Sequence, residues 1–393
     1  MNDSTMFQIL KAALFTGEAV PVADWKALFQ EMKAQAVASL PGVWLEEHPI
    51  PCAESWSSYC AGMQGQWLRV MLGQSELADL LEQNRIPFVI LKGAAAAMYY
   101  PEPSLRSMGD VDLLVKRRDV EKAAVLLEGS GYTLAEGKDL RTYHYSYKKD
   151  EILFELHRKL PVIDDADEKL LSLFEDGIDH RVWKETEGFR FPTLPTALNG
   201  LVLIYHINQH LRSGLGLRQI IDWMLYVTSL SAEEWSGLRP LLQDTGMEKL
   251  ALTVTAMCQR YLGLRPIVKD DLSLPVDLLM DRILEAGNFG SKSGTRGRIA
   301  MVSMLASEKG GFFRHLQAGG LIRWKAAREH RMLRPFAWVY QAFHILGVLL
   351  TKRISLSQLR EQTKHGAEQF KLLKELGLQL DSTIQHETAA PEK

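Results

Sequence analysis

Apolar and polar positions divide the chain into a helical start, a short mixed stretch and a long helical remainder. Asp3–Phe15 opens with an N-cap residue and continues with apolar residues at helical spacing. Val22–Leu40 and Ser55–Ile86 repeat that pattern, so residues 1–85 are expected to form a helical region. The pattern then changes. Phe88–Leu91 is a short apolar run between Pro87 and Gly93, which predicts a buried strand. An Ala-rich helix, Gly93–Tyr100, follows, then a second apolar run, Val111–Val115, and a helix over Asp119–Glu128 closed by Gly129 and Gly131. Tyr143–Lys149 alternates, Asp150-Glu151 reads as a turn, and Ile152–His157 alternates again. The order is thus β-α-β-α-β-β over about residues 86–160, within a core placed at 86–190. From 196 onward Thr196–Leu211, Leu217–Leu230, Ser231–Gly246 and Met247–Gly263 read as successive helices of a C-terminal region, 191–377. Residues 287–297 are the most loop-like internal segment, and 378–393 read as a disordered tail. The expected class is α+β: a small mixed sheet flanked by an N-terminal and a larger C-terminal helical region.

With 393 residues, 46% hydrophobic and 24% charged, the chain has enough apolar material for a sizeable core, which excludes disorder as its main state. The net charge of −2 argues against a bulk nucleic-acid binder. Cys52, Cys60 and Cys258 are too few for a disulfide framework and form no CxxC pair, so a reducing, cytoplasmic setting is expected. The first residues, Met-Asn-Asp-Ser-Thr, lack the basic start and apolar run of a signal peptide. Phe336–Leu350 is the longest apolar stretch, but it carries Gln341 and His344 and falls short of the roughly 20 residues of a bilayer span. A buried helix is expected there and no transmembrane segment. The flanking Arg331, Arg334, Lys352 and Arg353 leave a membrane-surface role as the weaker alternative.

The chemistry concentrates in Leu91-Lys-Gly-Ala-Ala95, Arg106-Ser-Met-Gly-Asp-Val-Asp112 and Phe154-Glu-Leu-His157. Strand alternation puts Asp110 and Asp112 on one face, with Val111 and Leu113 behind. Two carboxylates about 7 Å apart repel unless a cation sits between them, and Asp is depleted in strands. Replacing Asp112 by Asn is therefore expected to hold or raise the stability of the metal-free chain. Glu155 and His157 share a face by the same rule. If their strand lies beside Val111–Val115, three carboxylates converge, a donor set for a hard divalent cation such as Mg²⁺, singly or as a pair. Gly93 starts a helix after a buried strand, where backbone N–H groups can hold a triphosphate, and Lys92 and Arg106 would add charge.

Strand, Gly-helix, G-D-V-D and a later acidic strand resemble the DNA polymerase β-like nucleotidyltransferase superfamily. More closely, L-K-G-A, L-R-S-M-G-D-V-D-L-L-V and E-L-H resemble a bacterial family of uncharacterised nucleotidyltransferases, firmly over about residues 86–160 and loosely beyond. The resemblance implies Mg²⁺-dependent transfer of a nucleoside monophosphate from an NTP such as ATP, with release of pyrophosphate. It implies Asp110, Asp112 and Glu155 as catalytic metal ligands, and Lys92, Gly93, Ala94, Arg106, Gly109 and His157 as nucleotide contacts. Two departures stand out. Ala94 occupies a position where the superfamily has Ser or Gly, leaving triphosphate contact to backbone N–H groups. Glu155 stands where Asp is usual, with a longer reach.

The acceptor is a small molecule, a protein hydroxyl or an RNA end. The alternative is a catalytically weakened module for nucleotide sensing or partner binding on the same scaffold. His206 and His210 have zinc-compatible spacing but no acidic third ligand at a familiar distance, so they are expected to line the cleft or pack between helices. Arg218 and Asp222, also i, i+4, are expected to pair. Residues 312–334 are basic with interleaved aromatics, read as a solvated amphipathic helix ahead of an RNA contact.

Overall fold

The computed structural model describes residues 2–51, 53–136, 143–161, 163–269, 271, 273–288, 291–292, 330–351 and parts of 313–329 and 368–378. The tail beyond 378, most of the 287–297 segment and much of the basic 312–334 segment lie outside the described residues.

Helices α1 (Asn2–Lys11), α2 (Trp25–Ala34), α3 (Gly42–Glu47) and α4 (Glu54–Gln83) precede the first strand. Asp24 caps α2 by accepting the Ala27 N–H at 3.0 Å. The Val22–Leu40 pattern predicts a longer helix than α2, and tertiary contacts explain the difference. The Gln35 amide donates to the Ile283 carbonyl at 3.1 Å and accepts the Leu217 N–H at 3.2 Å, and Ala36 turns to φ +57°.

Five strands form one sheet in the order β1-β2-β5-β4-β3. They are β1 (Phe88–Leu91), β2 (Asp110–Val115), β3 (Thr133–Glu136), β4 (His144–Lys149) and β5 (Ile152–His157). β2 and β5 run parallel and the other neighbours antiparallel, so the sheet is mixed and the α+β expectation holds. Helix α5 (Gly93–Ala97) follows β1 and α6 (Val120–Gly129) follows β2. Asp150 and Glu151 both take positive φ, +49° and +64°, as a two-residue hairpin turn of matching twist requires. That turn sets Lys149 opposite Ile152 and, five pairs on, His144 opposite His157.

After α7 (Glu168–Asp179) comes a second hairpin, β6 (Val182–Thr186) and β7 (Phe189–Thr193), turned at Glu187-Gly188 with φ +47° and +80°. The sequence reading anticipates neither this hairpin nor β3. The signal for the hairpin is present in the V-W-K-E-T alternation and the Glu-Gly turn. Helices α8 (Thr196–Ser213), α9 (Leu217–Ser229), α10 (Ala232–Asp244) and α11 (Glu248–Tyr261) match the four C-terminal helical runs. Helices α12 (Val276–Ala286) and α13 (Ala337–Thr351) follow. Ser231 and Glu234 form a reciprocal capping box at the start of α10. Among the described residues no helix is long and apolar enough to cross a membrane.

Alternation sorts the sheet's two faces. Phe88, Ile90, Val111, Leu113, Phe154 and Leu156 point to one side and pack with α4 and α6 in one apolar cluster. Gly73 lets α4 approach closely: a Cβ there would stand 2.7 Å from Ile152 Cδ1. Val89, Leu91 and Leu114 point to the other side, into a larger cluster built by α1, α2 and α7–α12. Asp110, Asp112, Glu155 and His157 share that second face by the same period of two.

Candidate active site

Glu155 lies level with Asp112 across the parallel β2–β5 pair, and Leu91, just before Lys92, lies level with Asp112 on the other side. This register brings Lys92, Asp110, Asp112 and Glu155 together along one side of a cleft of about 150 Å³. His206, Gln209 and His210 of α8, Arg218 of α9, Gly93, Arg106 and Tyr143 also line it.

Asp112 is 3% exposed and has two nitrogen partners. The Lys92 ammonium donates to its Oδ1 at 2.9 Å, and His157 Nε2 donates to the same oxygen at 2.8 Å. His157 Nε2 is also 3.2 Å from Glu155 Oε2, and His144 Nε2 is 3.8 Å from Glu155 Oε1. Lys92 is thus the cation that two like carboxylates on one strand face require. Its backbone, φ +48° and ψ −124°, is in a region side-chain-bearing residues seldom adopt, and it connects β1 to α5 there.

The charges follow from these contacts. Burial opposes the Lys92 ammonium, but Asp112, then Glu155, then Asp110 outweigh it and raise its pKa. Burial likewise opposes the Asp112 carboxylate, yet Lys92 and then His157 hold it well below the usual carboxylate range. For His157, burial is outweighed by hydrogen bonds to Asp112 and Glu155, and the pKa rises above the usual histidine value. Glu155 is shifted down against burial, chiefly by the His157 hydrogen bond. Among the described residues Asp110 has no hydrogen-bonded cation beside it. Its side chain reaches solvent at the cleft mouth, but the cleft walls around it and then the Asp112 charge push it up to about 6.

The predicted nucleotide contacts separate in space. A Cβ on Gly93 would meet only the Asp110 carbonyl oxygen at 3.8 Å, and one on Gly109 nothing within 4 Å, so both backbones face open space. Ala94 is buried beside them. Arg106, expected near the triphosphate, lines the cleft, is 3% exposed and clasps Asp222. Its Nε and Nη2 donate to the two Asp222 oxygens at 2.7 Å each, and the Tyr100 hydroxyl donates to Oδ1 at 2.7 Å. The expected Arg218–Asp222 partnership therefore gives way to a bidentate clasp from another element, which satisfies both carboxylate oxygens at once. Arg218 Nη1 donates to the Ser107 carbonyl at 3.1 Å and lines the cleft.

His206 and His210 line the cleft as the sequence indicates, their rings edge to face at 4.5 Å. Burial drives His206 well below the usual histidine range and His210 down to about 3, so both present neutral imidazole. Sequence reasoning missed His144 and Tyr143. The Tyr143 ring stacks on His157 at 5.8 Å. The signal for His144 was the two-residue turn, which fixes it opposite His157.

The donor type fits a hard divalent cation: Asp110, Asp112 and Glu155 bring carboxylate oxygens to one sheet face and line one cleft. Among the described residues, the set of three ligand residues whose donor atoms all lie within 4.8 Å of one another is His144, Glu155 and His157. Glu155 thus belongs to an imidazole-bearing cluster as well as to the carboxylate face. No curated protein matches the chain. Residues 21–263 match a family described as uncharacterised nucleotidyltransferases.

Proposed function

The chain belongs to this uncharacterised nucleotidyltransferase family, and we propose on that premise that it transfers a nucleoside monophosphate from an NTP to an acceptor hydroxyl in a Mg²⁺-dependent reaction. The observation that carries the reading is the set of Asp110, Asp112 and Glu155 on one sheet face, in a cleft that Arg218 also lines. In such a transfer the acceptor oxygen bonds to the α-phosphorus while the α-phosphorus–bridging oxygen bond breaks. Pyrophosphate leaves and the acceptor proton passes to a base. Asp110, Asp112 and Glu155 would hold Mg²⁺, which supplies charge stabilisation on the phosphates when bound. Glu155, lining the cleft, would take the acceptor proton. Lys92 would turn from Asp112 to the phosphates, beside the open backbone at Gly93 and Gly109. Arg218 takes the place the sequence reading gave to Arg106 as the second cation near phosphate. His206, Gln209 and His210 would meet the acceptor with neutral polar groups.

A second reading, nucleotide sensing without turnover, draws on the Lys92 and His157 contacts, which already occupy Asp112 Oδ1. One experiment separates the two. The full chain is incubated with Mg²⁺, a cell extract and each NTP labelled on the α- or the γ-phosphate. Acceptor labelled from the α-position alone is the expected result. Label from the γ-position alone would refute nucleotidyl transfer, and saturable binding with no label moved from any NTP would favour sensing.

A further inference from the structure

We infer that His144, Glu155 and His157 form a second cation site, beside the aspartate pair and suited to a transition cation of the Zn²⁺ class rather than to Mg²⁺. The transferase reading enters only in what such a cation would serve; the site itself stands on the geometry of β4 and β5. His144 and His157 are directly opposed across that antiparallel pair, and Glu155 is two residues before His157 on the same face. His157 Nε2 lies 3.2 Å from the Glu155 carboxylate and His144 Nε2 3.8 Å from it, with the Ser146 hydroxyl 3.1 Å from the same His144 nitrogen. All three donor atoms lie within 4.8 Å of one another. In a tetrahedral zinc site with bonds of 2.0–2.1 Å the donors stand roughly 3.3 Å apart, so the cluster is close to assembled.

Donor type sets the preference. Imidazole nitrogen suits Zn²⁺, Fe²⁺ or Co²⁺, whereas carboxylate alone suits Mg²⁺. Among the described residues, Nδ1 of both rings is buried and without a hydrogen-bond partner. The Tyr143 ring covers the pair, stacked on His157 and tilted over His144 at 4.3 Å. A bound cation would replace the hydrogen bonds from His157 Nε2 to Asp112 and Glu155. With this site filled, Glu155 would serve its cation instead of Mg²⁺ or the acceptor proton, leaving Asp110 and Asp112 to Mg²⁺ and Lys92 as the remaining partner of Asp112.

The test uses Co²⁺ as a spectroscopic probe on the chelator-treated full chain, without nucleotide or Mg²⁺. We expect a visible d–d band that saturates at a single equivalent, is displaced by Zn²⁺ and withstands an about hundredfold excess of Mg²⁺. His144→Gln and Glu155→Gln should each weaken Co²⁺ binding by at least about tenfold, while His206→Gln leaves it unchanged. Absence of the band in the wild type, its persistence in both His144→Gln and Glu155→Gln, or its loss in His206→Gln would overturn the assignment. Should one variant fail to fold by circular dichroism, the other decides together with the wild-type titration. Asp110→Asn keeps the band under this assignment. Mg²⁺–NTP binding measured on that same variant reports on the transferase reading separately, so the two failures are distinguishable.

Discussion

Asp110→Asn and Asp112→Asn each exchange one carboxylate oxygen for an amide, yet they should move metal-free stability in opposite directions. Asp110 has its pKa pushed from 3.8 to about 6. A folded pKa above the unfolded one means the folded chain holds the proton more tightly. Ionised Asp110 therefore lowers stability, not at all below 3.8 and fully above about 6. Two units at 1.36 kcal/mol each would be about 3 kcal/mol in a dry site. Because the side chain reaches solvent, screening reduces this to about 1 kcal/mol, the gain expected from Asp110→Asn at neutral pH. Asp112 is the reverse case: its depressed pKa contributes stability that is present above 3.8 and lost as pH falls through the folded value. Asp112→Asn leaves the Lys92 ammonium and the His157 Nε2 facing a neutral amide. Removing one partner of a buried pair costs about 3–5 kcal/mol, and the nearby Glu155 and Asp110 place this case near the low end, about 3 kcal/mol. Alternation alone expects relief of repulsion at Asp112; the Lys92 contact reverses that expectation. Urea unfolding in chelator at about pH 7.5 reads both variants directly. A destabilised Asp110→Asn, or an Asp112→Asn as stable as wild type, would refute this account of the site's charges.

Three further outcomes are expected. Asp222→Ala should lose about 3–5 kcal/mol in urea unfolding, and Arg106→Met with Asp222→Leu should lose less than the single change, because no buried charge is then left unpaired. His210, faced by Lys92 from the end of β1, Arg218 from α9 and Asp112 from β2, has its pKa depressed to about 3, so its stabilising neutral form is lost as pH falls below 6.5. At pH 5 the loss is about 2 kcal/mol, and the stability curve of His210→Gln between 6.5 and 5 should be flatter by that amount; equal curves would overturn the burial argument. Gly200→Ala would put a Cβ 2.3 Å from Tyr226 Oη, whereas one at Gly237 meets nothing within 4 Å. Thermal melting should show the first destabilised by about 1–3 kcal/mol and the second stabilised by about 0.5–1 kcal/mol.

The strand faces were legible because a period of two survives in short runs: Asp110, Asp112, Glu155 and His157 fall on one face as the alternation requires. The helices α8–α11 were legible for the same kind of reason, through periodic apolar positions punctuated by Gly and Pro. His144 was within reach, since a two-residue turn at 150–151 dictates its partner. Lys92 as the partner of Asp112 was not, because which strand lies beside β2 depends on packing rather than on local pattern. Nor was the clasp of Arg106 on Asp222, whose members are 116 positions apart and carry no joint signal in the chain. The early end of α2 belongs with these, set by a Gln35 amide that bonds to residues far along the sequence.

Helix α4 runs 30 residues without a break, about 45 Å at 1.5 Å per residue. Its first turns give Trp56 and Cys60 to the large helical cluster, and its later turns give Trp67, Val70, Met71, Leu77 and Leu81 to the cluster behind the sheet. The two apolar interiors are therefore joined by a rigid rod instead of a linker. Fraying the rod at either end strips side chains from one interior and removes the helical template that the other needs. Amide exchange in α4, β2 and β5 should therefore share a single opening free energy.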